Sequence, residues 1–276
     1  MDFVYRRFYT GPIQAVVCDL AGTLVDYGSM APAGAFMETF ARQGVTITNE
    51  QARGPMGLHK KDHIREILRM APIDAAFKEV KGRAWNEDDV QAMYEDFTPL
   101  QLAVLPKYGA LIPGALEFRQ DLAEAGVKFA ANTGYAREMM QVVLEEAKKQ
   151  DFIPDAALCA DDVLQGRPAP WMTLRSMELM GVYPPAAVVK IGDTVPDVEE
   201  GLNAGVWTIG LAKSGNMNGM PLAEVEAMDE EALEKRLEVA RRKLLQCGAH
   251  YVVDSIADCL EVLDEINDRL SVGENP

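Results

Sequence analysis

Residues 13–20 (IQAVVCDL) form a short, β-branched apolar run that ends next to an acidic residue. Such a run is typical of a buried parallel strand whose carboxyl end carries function. Similar runs recur along the chain, and a helical pattern separates each from the next. This alternation predicts an α/β fold with a doubly wound parallel sheet. The expected strands are residues 13–20, 127–132, 187–192, 206–211 and one within 251–270, and the expected crossover helices are residues 114–125, 136–149, 170–180 and 195–204.

About ninety residues separate the first strand from the Pro113-Gly114 break, which is far longer than an ordinary crossover. Because this stretch is helical in pattern throughout, the sequence predicts an inserted helical cap domain over the carboxyl edge of a Rossmann-like core. We assign residues 26–106 to the cap, and residues 1–25 and 107–276 to the core. The expected cap helices are residues 32–43, 49–53, 60–70, 73–81 and 88–107, and an acidic stretch at 221–247 is expected to be a solvated surface helix.

The charge balance argues against two classes of partner. Asp and Glu number 43 against 27 Lys and Arg, which gives the chain a formal charge of −16. A surface this acidic repels a phosphate backbone and an anionic lipid surface, so we expect no nucleic-acid and no membrane partner. The four cysteines are far apart and form no C-x-x-C pair, as expected for reduced thiols. We therefore expect a cytoplasmic globular protein.

Polar residues cluster at the ends of the predicted strands, where ligands bind in open parallel sheets. An aspartate after a strand often only caps the next helix, so each residue alone is a weak signal. The ordered set is stronger, because the strand ends of a parallel sheet meet along one edge and predict a single site. In chain order the set is Asp19, Thr133, Gly134, Arg167, Asp193 and Asp197.

This order of an aspartate, a threonine, a basic residue and paired aspartates resembles the haloacid dehalogenase superfamily. The resemblance implies that the carboxylate of Asp19 attacks phosphorus and forms an aspartyl-phosphate. It also implies an oxygen-rich Mg²⁺ site made by Asp19, Asp193 and the backbone carbonyl of Ala21.

The same resemblance implies how the phosphoryl group is bound. Arg167 would hold its oxygens by charge and fork geometry, and Thr133 would hold them by its hydroxyl group together with the nearby amide of Gly134. Asp197 would orient these groups from behind.

Ala21 departs from the pattern of the superfamily's phosphatases. Those enzymes usually have a second aspartate two residues after the nucleophile, which protonates an oxygen leaving group. A carbon leaving group needs an electron sink instead. A lysine condensed with a neighbouring carbonyl as an iminium supplies that sink.

Lys60, in the predicted cap, is the candidate for this lysine. On a helix it shares an arc of about 100° with the apolar side that contains Met56 and His63, whereas Lys61 lies toward a more basic side. Desolvation lowers the pKa of an amine and makes the neutral nucleophile available, which favours Lys60 over Lys61. Periodicity alone leaves open the alternative that Lys60 is a snorkelling surface lysine.

Motifs along nearly the whole chain resemble the phosphonoacetaldehyde hydrolase family. They are Asp19-x-Ala21-Gly22-Thr23, Ala52-Arg53-x-Pro55-Met56-Gly57, Thr133-Gly134-Tyr135, Gly166-Arg167-Pro168, Gly192-Asp193-Thr194 and Gly248-Ala249-His250. The resemblance implies cleavage of phosphonoacetaldehyde to acetaldehyde and phosphate through a Schiff base on Lys60. It implies that Met56, His63 and Tyr135 assist proton transfer, and that the chain forms a homodimer through the cap. Leu20 replaces the family's usual Trp beside the nucleophile, a difference in local packing.

Two other functions stay open. A cap-bearing phosphatase or phosphomutase acting on a small phosphorylated metabolite would not need Lys60, and Ala21 argues against it. A catalytically inactive phosphometabolite-binding protein would bind without turnover, and the intact set of site residues argues against that alternative.

Two residue patterns have simpler explanations than function. His59 and His63 are spaced like a zinc pair, but the residues between them include two lysines and lack the glutamate base. Cys18 would point to the opposite side of the strand from Asp19, and we expect it to be a small buried hydrophobic residue.

Overall fold

The computed structural model describes residues 8–276. Within this range six parallel strands form one sheet, which confirms the predicted α/β fold with a doubly wound parallel sheet. The strands are β1 (Ala15–Asp19), β2 (Lys128–Thr133), β3 (Ala156–Cys159), β4 (Val188–Gly192), β5 (Trp207–Leu211) and β6 (Tyr251–Val253). Their spatial order is β3-β2-β1-β4-β5-β6.

β1 lies at the centre of the sheet, between β2 and β4. All five of its residues are buried, because helices cover both faces of the sheet, and this explains the unbroken apolar run in the sequence. Asp19 pairs in register with Asn132 of β2. The register therefore brings the carboxyl ends of the two strands side by side.

β3 is not among the strands predicted from the sequence. This strand reads AALC, pairs only with β2 at the edge of the sheet, and has two partly exposed residues. Alanine has a low strand propensity and β3 contains no β-branched residue, so its sequence signal is weak.

Twelve α-helices lie within residues 8–276, and five of them lie between β1 and β2 ahead of the first crossover helix. These five are α1 (Met30–Arg42), α2 (Asn49–Arg53), α3 (Lys60–Arg69), α4 (Ala71–Lys81) and α5 (Glu87–Val104). The remaining helices are α6 (Ala115–Glu124), α7 (Arg137–Lys148), α8 (Trp171–Met180), α9 (Val195–Ala204), α10 (Leu222–Glu226), α11 (Glu230–Gln246) and α12 (Cys259–Ser271). The predicted domain bounds stay a prediction.

The predicted single surface helix over residues 221–247 was wrong in one respect. Two helices, α10 and α11, occupy this stretch. The side chain of Asp229 accepts a hydrogen bond from the backbone N–H of Ala232 and caps the start of α11. A capping aspartate begins a new helix, which is why the continuous charged pattern hides a break.

The inserted helices α1–α5 have an aromatic interior. Phe36 of α1 stacks on Phe97 of α5 with ring centroids 4.3 Å apart, and both side chains are fully buried. The same apolar cluster continues into side chains of the sheet, such as Phe129. This packing joins α1 to α5 and connects the inserted helices to the sheet.

Two further observations concern membrane-spanning helices and disulfide bonds. No helix among the described residues is both long and apolar enough to cross a membrane. All four cysteines are free, which confirms the expectation that the chain has no disulfide framework.

Candidate active site

A small cavity lies between the carboxyl edge of the sheet and the inserted helices. Its volume is about 20 Å³, roughly the space for one water molecule. Predicted site residues from both regions line it: Asp19, Ala21, Met56, Lys60, Thr133, Gly134, Tyr135 and Arg167. A larger cavity of about 840 Å³ lies between α2 and α11 and contains none of the predicted site residues. We therefore assign the candidate active site to the small cavity.

Asp19, at the carboxyl end of β1, forms an ion pair with Arg167. Nη1 of Arg167 lies 2.7 Å from Oδ1 of Asp19, and the two side chains are 1% and 7% exposed. Burial raises the pKa of Asp19, and the positive charge of Arg167 opposes this shift. The ion pair thus holds a carboxylate at the wall of the cavity.

Arg167 is itself fixed by a buried network. Its Nε donates to Oε2 of Glu200 at 2.8 Å, its Nη1 lies 3.1 Å from Oδ1 of Asp197, and its Nη2 donates to Oδ1 of Asn132 at 2.6 Å. A guanidinium held by several planar contacts loses its freedom to turn. The predicted phosphoryl-binding arginine is therefore rigid beside Asp19.

Two members of this network, Lys190 and Glu200, are not among the site residues predicted from the sequence. Nζ of Lys190 lies 2.9 Å from Oδ1 of Asp197, and Oε1 of Glu200 accepts from the hydroxyl of Thr173 at 2.8 Å. Both charged side chains are fully buried. The available signals were a lysine inside the apolar run of β4, and a glutamate three residues after Asp197, one turn along α9.

Asp193, which follows β4, is a buried carboxylate that forms no ion pair within residues 8–276. It accepts hydrogen bonds from Oγ1 of Thr23 at 3.2 Å and from the backbone N–H of Asn216 at 2.6 Å. Among residues 8–276, no lysine or arginine forms an ion pair with it. Burial, followed by the charges of Asp19 and Asp197, raises its pKa well above the usual range. Such a group favours a bound cation.

One carboxylate oxygen from each of Asp19, Asp193 and Asp197 lies within 4.8 Å of the other two. Oδ1 of Asp197 already contacts Arg167 and Lys190, and its Oδ2 accepts from Oγ1 of Thr194 at 2.5 Å. This leaves Asp19 and Asp193 as the acids best placed to hold a metal. Because the donors are all oxygen atoms, the set fits a hard divalent cation.

Lys60, the first residue of α3, is 2% exposed. Its Nζ lies 4.8 Å from the ring centroid of Tyr135 and 5.6 Å from that of Phe36. Burial lowers the pKa of Lys60 to about 8, although the charge of Asp19 acts in the opposite direction. Lys61 is only partly buried and lies over the ring of Tyr94. The prediction that Lys60 faces the apolar side is confirmed.

His63 and Tyr135 each carry a buried polar atom with no partner among residues 8–276, Nδ1 and the hydroxyl respectively. The ring of His63 stacks on Phe36 at 3.8 Å, and its Nε2 lies 2.8 Å from the carbonyl oxygen of Ala52. That carbonyl requires a proton on Nε2, which leaves Nδ1 as an acceptor. Burial, together with the charge of Lys60, lowers the pKa of His63 and keeps the ring neutral.

Two glycines bring the inserted segment against the core. A Cβ on Gly57, whose φ is +95°, would lie 2.3 Å from Oγ1 of Thr194, and a Cβ on Gly134 would lie 2.7 Å from the carbonyl oxygens of Gly57 and Leu58. Any larger residue would push the two backbones apart. The absence of side chains here lets the loop that carries Met56 close over the cavity.

The spacing of His59 and His63 and the cysteine next to Asp19 have structural explanations. Nε2 of His59 lies 3.5 Å from Oδ1 of Asp161, whereas Nε2 of His63 is used by Ala52, so the two rings have different partners. Cys18 is fully buried, and burial raises the pKa of its thiol far above the usual value. Cys18 is therefore a small buried hydrophobic residue, as expected.

Comparisons with known proteins cover the sheet and the inserted helices alike. Residues 13–205 match the family model described as haloacid dehalogenase-like hydrolase. The chain is 46% identical to a phosphonoacetaldehyde hydrolase of Syntrophobacter fumaroxidans over 99% of each chain. It is 41% identical to one from Nitratidesulfovibrio vulgaris, over 99% of this chain and 98% of the relative. The crystal structure of a phosphonoacetaldehyde hydrolase-like protein from Oleispira antarctica superposes with a TM-score of 0.98 at 39% identity, over 100% of both chains.

Proposed function

The chain belongs to the phosphonoacetaldehyde hydrolase family of haloacid dehalogenase-like hydrolases, and we propose that it hydrolyses the P–C bond of phosphonoacetaldehyde to give acetaldehyde and phosphate. The observation that carries this proposal is the amine of Lys60, buried with a lowered pKa in the cavity that Asp19 also lines. Ala21 stands where an acid for an oxygen leaving group would be. An imine on Lys60 supplies the electron sink that a carbon leaving group needs.

In the first step, the neutral amine of Lys60 adds to the aldehyde carbon, and loss of water gives a protonated imine. With a pKa of about 8, about one amine in ten is neutral at pH 7, against fewer than about one in a thousand for an ordinary lysine. The hydroxyl of Tyr135 and Nδ1 of His63 have no partner among residues 8–276, the ring of Tyr135 lies 4.8 Å from Nζ of Lys60, and the charge of Lys60 acts on His63. With Met56, these two groups assist the proton transfers.

In the second step, the carboxylate of Asp19 attacks phosphorus. A P–O bond forms as the P–C bond breaks, and the electron pair of the P–C bond moves into the imine to give an enamine. Arg167 binds the phosphoryl oxygens through its charge, and Thr133 and the backbone N–H of Gly134 bind them by hydrogen bonds. Asp197 supports this binding indirectly, because it holds Nη1 of Arg167 in place.

A divalent cation, Mg²⁺ in our proposal, would be held by Asp19, Asp193 and the carbonyl of Ala21. When bound, it would supply positive charge that offsets the negative charge of the phosphoryl group and of the two carboxylates.

The last steps regenerate the enzyme. Water attacks the aspartyl-phosphate and releases phosphate and the free Asp19. The enamine takes up a proton at carbon and returns to the imine, and a second water releases acetaldehyde and Lys60. Because imine formation gives one water back, the complete reaction consumes one water molecule.

Borohydride trapping tests this proposal. With acetaldehyde alone, borohydride should reduce the imine to a secondary amine, and peptide mapping should place an ethyl group on Lys60. Lys60→Arg should abolish the label and phosphate release from phosphonoacetaldehyde, since a guanidinium stays protonated. Lys61→Arg is the matched control and should label as the wild type does. Labelling confined to Lys61, or wild-type turnover by Lys60→Arg, would overturn the proposal.

A panel of phosphate monoesters separates the alternative functions. A phosphatase or phosphomutase acting on a small metabolite should release or move phosphate from one of them without Lys60. A binding protein should turn over neither class. The homodimer and the cytoplasmic location are part of our proposal and rest on the family resemblance and on the reduced cysteines. Light scattering of the purified protein tests the dimer.

A further inference from the structure

Arg53, the last residue of α2, reaches from the inserted helices back to the core. Its Nη1 donates to the carbonyl oxygen of Gly28 at 2.8 Å and to Oδ1 of Asn216 at 3.1 Å. Gly28 precedes α1, where the chain leaves the core, and Asn216 lies in the loop that follows β5. A Cβ on Gly219 would lie 3.0 Å from Nε of Arg53, so this loop packs tightly on the guanidinium.

The charge of Arg53 has no carboxylate partner at ion-pair distance in the described part of the chain. The residue is 8% exposed, and among the described residues no aspartate or glutamate oxygen lies within ion-pair distance of it. Its donors are instead satisfied by carbonyl and amide oxygens and by Sδ of Met30, and the charges of Asp26 and Asp193 act on it from beyond ion-pair distance. A buried cation whose direct partners are all neutral is a poor source of stability. Its placement calls for another explanation.

The loop that Arg53 holds is also the loop that holds Asp193. The backbone N–H of Asn216 donates to Oδ2 of Asp193 at 2.6 Å, while the side chain of Asn216 accepts from Arg53 and donates to its carbonyl oxygen at 3.3 Å. A Cβ on Gly215 would lie 2.1 Å from Cβ of Asp193. Asn216 therefore connects the inserted helix directly to a carboxylate of the candidate metal site.

We propose that Arg53 is a positioning residue: through Asn216 it fixes the loop at residues 213–219, and so sets the carboxylate of Asp193 for binding a divalent cation when the inserted helices are seated on the core. Arg53 does not itself line the active-site cavity. It also donates to the carbonyl oxygens of Gly28 and Ser29, and its path to Asp193 runs through Asn216. The purpose of the cation rests on the proposed function, but the contacts from Arg53 to Asp193 do not depend on it.

Metal binding to the metal-free protein tests this proposal without any turnover. Calorimetric titration with Mg²⁺ should show that Arg53→Gln weakens binding about 10- to 100-fold, the usual effect of removing a group that orients a ligand. Hydrogen exchange should become faster at the backbone amides of residues 213–219. Arg65→Gln is the matched control, because Arg65 pairs with Glu87 inside the inserted helices, and its binding should stay within about twofold of the wild type.

A second variant distinguishes loss of the link between Arg53 and Asn216 from a general folding defect. Asn216→Ala keeps the backbone N–H on Asp193 and removes only the link to Arg53, so it should weaken Mg²⁺ binding in the same direction. The double variant should bind no more weakly than the worse single variant, since both changes break one path. At saturating Mg²⁺, the KM for phosphonoacetaldehyde should return to the wild-type value, which general structural damage would not allow.

Three outcomes would overturn the proposal: wild-type protein that does not bind Mg²⁺, single variants that bind it as tightly as the wild type, or effects that multiply in the double variant. If the wild type binds Mg²⁺ but releases no phosphate from phosphonoacetaldehyde, the proposed function fails. In that case the binding results still decide the role of Arg53.

Discussion

Nη1 of Arg167 lies 2.7 Å from Oδ1 of Asp19, and both side chains are almost completely excluded from solvent. The same guanidinium also pairs with Asp197 and Glu200. The fork of an arginine can reach several acceptors in fixed directions at once, whereas the ammonium of a lysine is a single point of charge. The structure therefore requires an arginine, and not merely a cation, beside Asp19.

Replacing Arg167 with lysine tests this requirement. Arg167→Lys keeps the charge but cannot serve all of the acceptors, so we expect kcat/KM for phosphonoacetaldehyde to fall by about 10²-fold or more. Arg175→Lys, on the exposed surface of α8, is the control and should keep wild-type activity. Steady-state phosphate release measures both. A loss of less than about threefold in Arg167→Lys would show that charge alone suffices.

The pH dependence of imine formation should report the amine of Lys60. Burial lowers its pKa to about 8, so the neutral form becomes available as the pH rises toward 8. We expect the rate of borohydride inactivation with acetaldehyde to rise about tenfold per pH unit below this value and then to level off. A rate that continues to rise to pH 10 would show an ordinary, solvated lysine.

The sequence predicted those parts of the fold and the site that depend on local pattern. Buried strands gave apolar runs, as β1 shows, and the helical arc placed Lys60 on the side that is buried in the structure. The edge strand β3 was not predicted, because partly exposed alanines have a low strand propensity. Lys190 and Glu200 were not predicted for a different reason. Their role depends on which neighbours the tertiary fold supplies in the interior, and spacing alone does not encode that.

Asp193 and Asp197 should respond differently to loss of charge. Asp193 has no ion-pair partner among residues 8–276, so metal-free Asp193→Asn should unfold at the same Tm as the wild type or higher, while losing activity and the rise in Tm that Mg²⁺ causes. Asp197→Asn removes the negative charge with which both Arg167 and Lys190 form ion pairs. It should lose about 3 kcal/mol of stability, yet retain the response to Mg²⁺ and lose less activity. Thermal unfolding with and without Mg²⁺ measures both, and equal responses would contradict the two assignments.

Ala21→Asp tests the argument about the leaving group. A new carboxylate beside Asp19 would add negative charge next to an anionic substrate, and an enamine has no use for the acid it supplies. We expect cleavage of phosphonoacetaldehyde to stay the same or fall, and Ala21→Ser is a neutral control of similar size. Faster cleavage by Ala21→Asp would count against departure of the carbon group as an enamine.

Gly57→Ala tests whether close contact between the inserted loop and the core matters for catalysis. Gly57 has φ +95°, and a Cβ there would lie 2.3 Å from Oγ1 of Thr194. Gly82 is the matched control, because it also has a positive φ, of +68°, but a Cβ there would meet no atom of the described residues within 4 Å. Both substitutions carry a backbone cost of about 1 kcal/mol, and only Gly57→Ala must also push the loop off the core.

We therefore expect Gly82→Ala to lower the free energy of unfolding slightly and to leave kcat/KM unchanged. Gly57→Ala should lower kcat/KM by about 10²-fold, because a shift of about 1 Å in a group that positions the substrate has an effect of this size. Lys60 should remain reactive to acetaldehyde and borohydride in both variants, since its own helix is intact. Equal kinetic effects of the two substitutions would show that backbone strain, and not contact between Gly57 and Thr194, explains the loss.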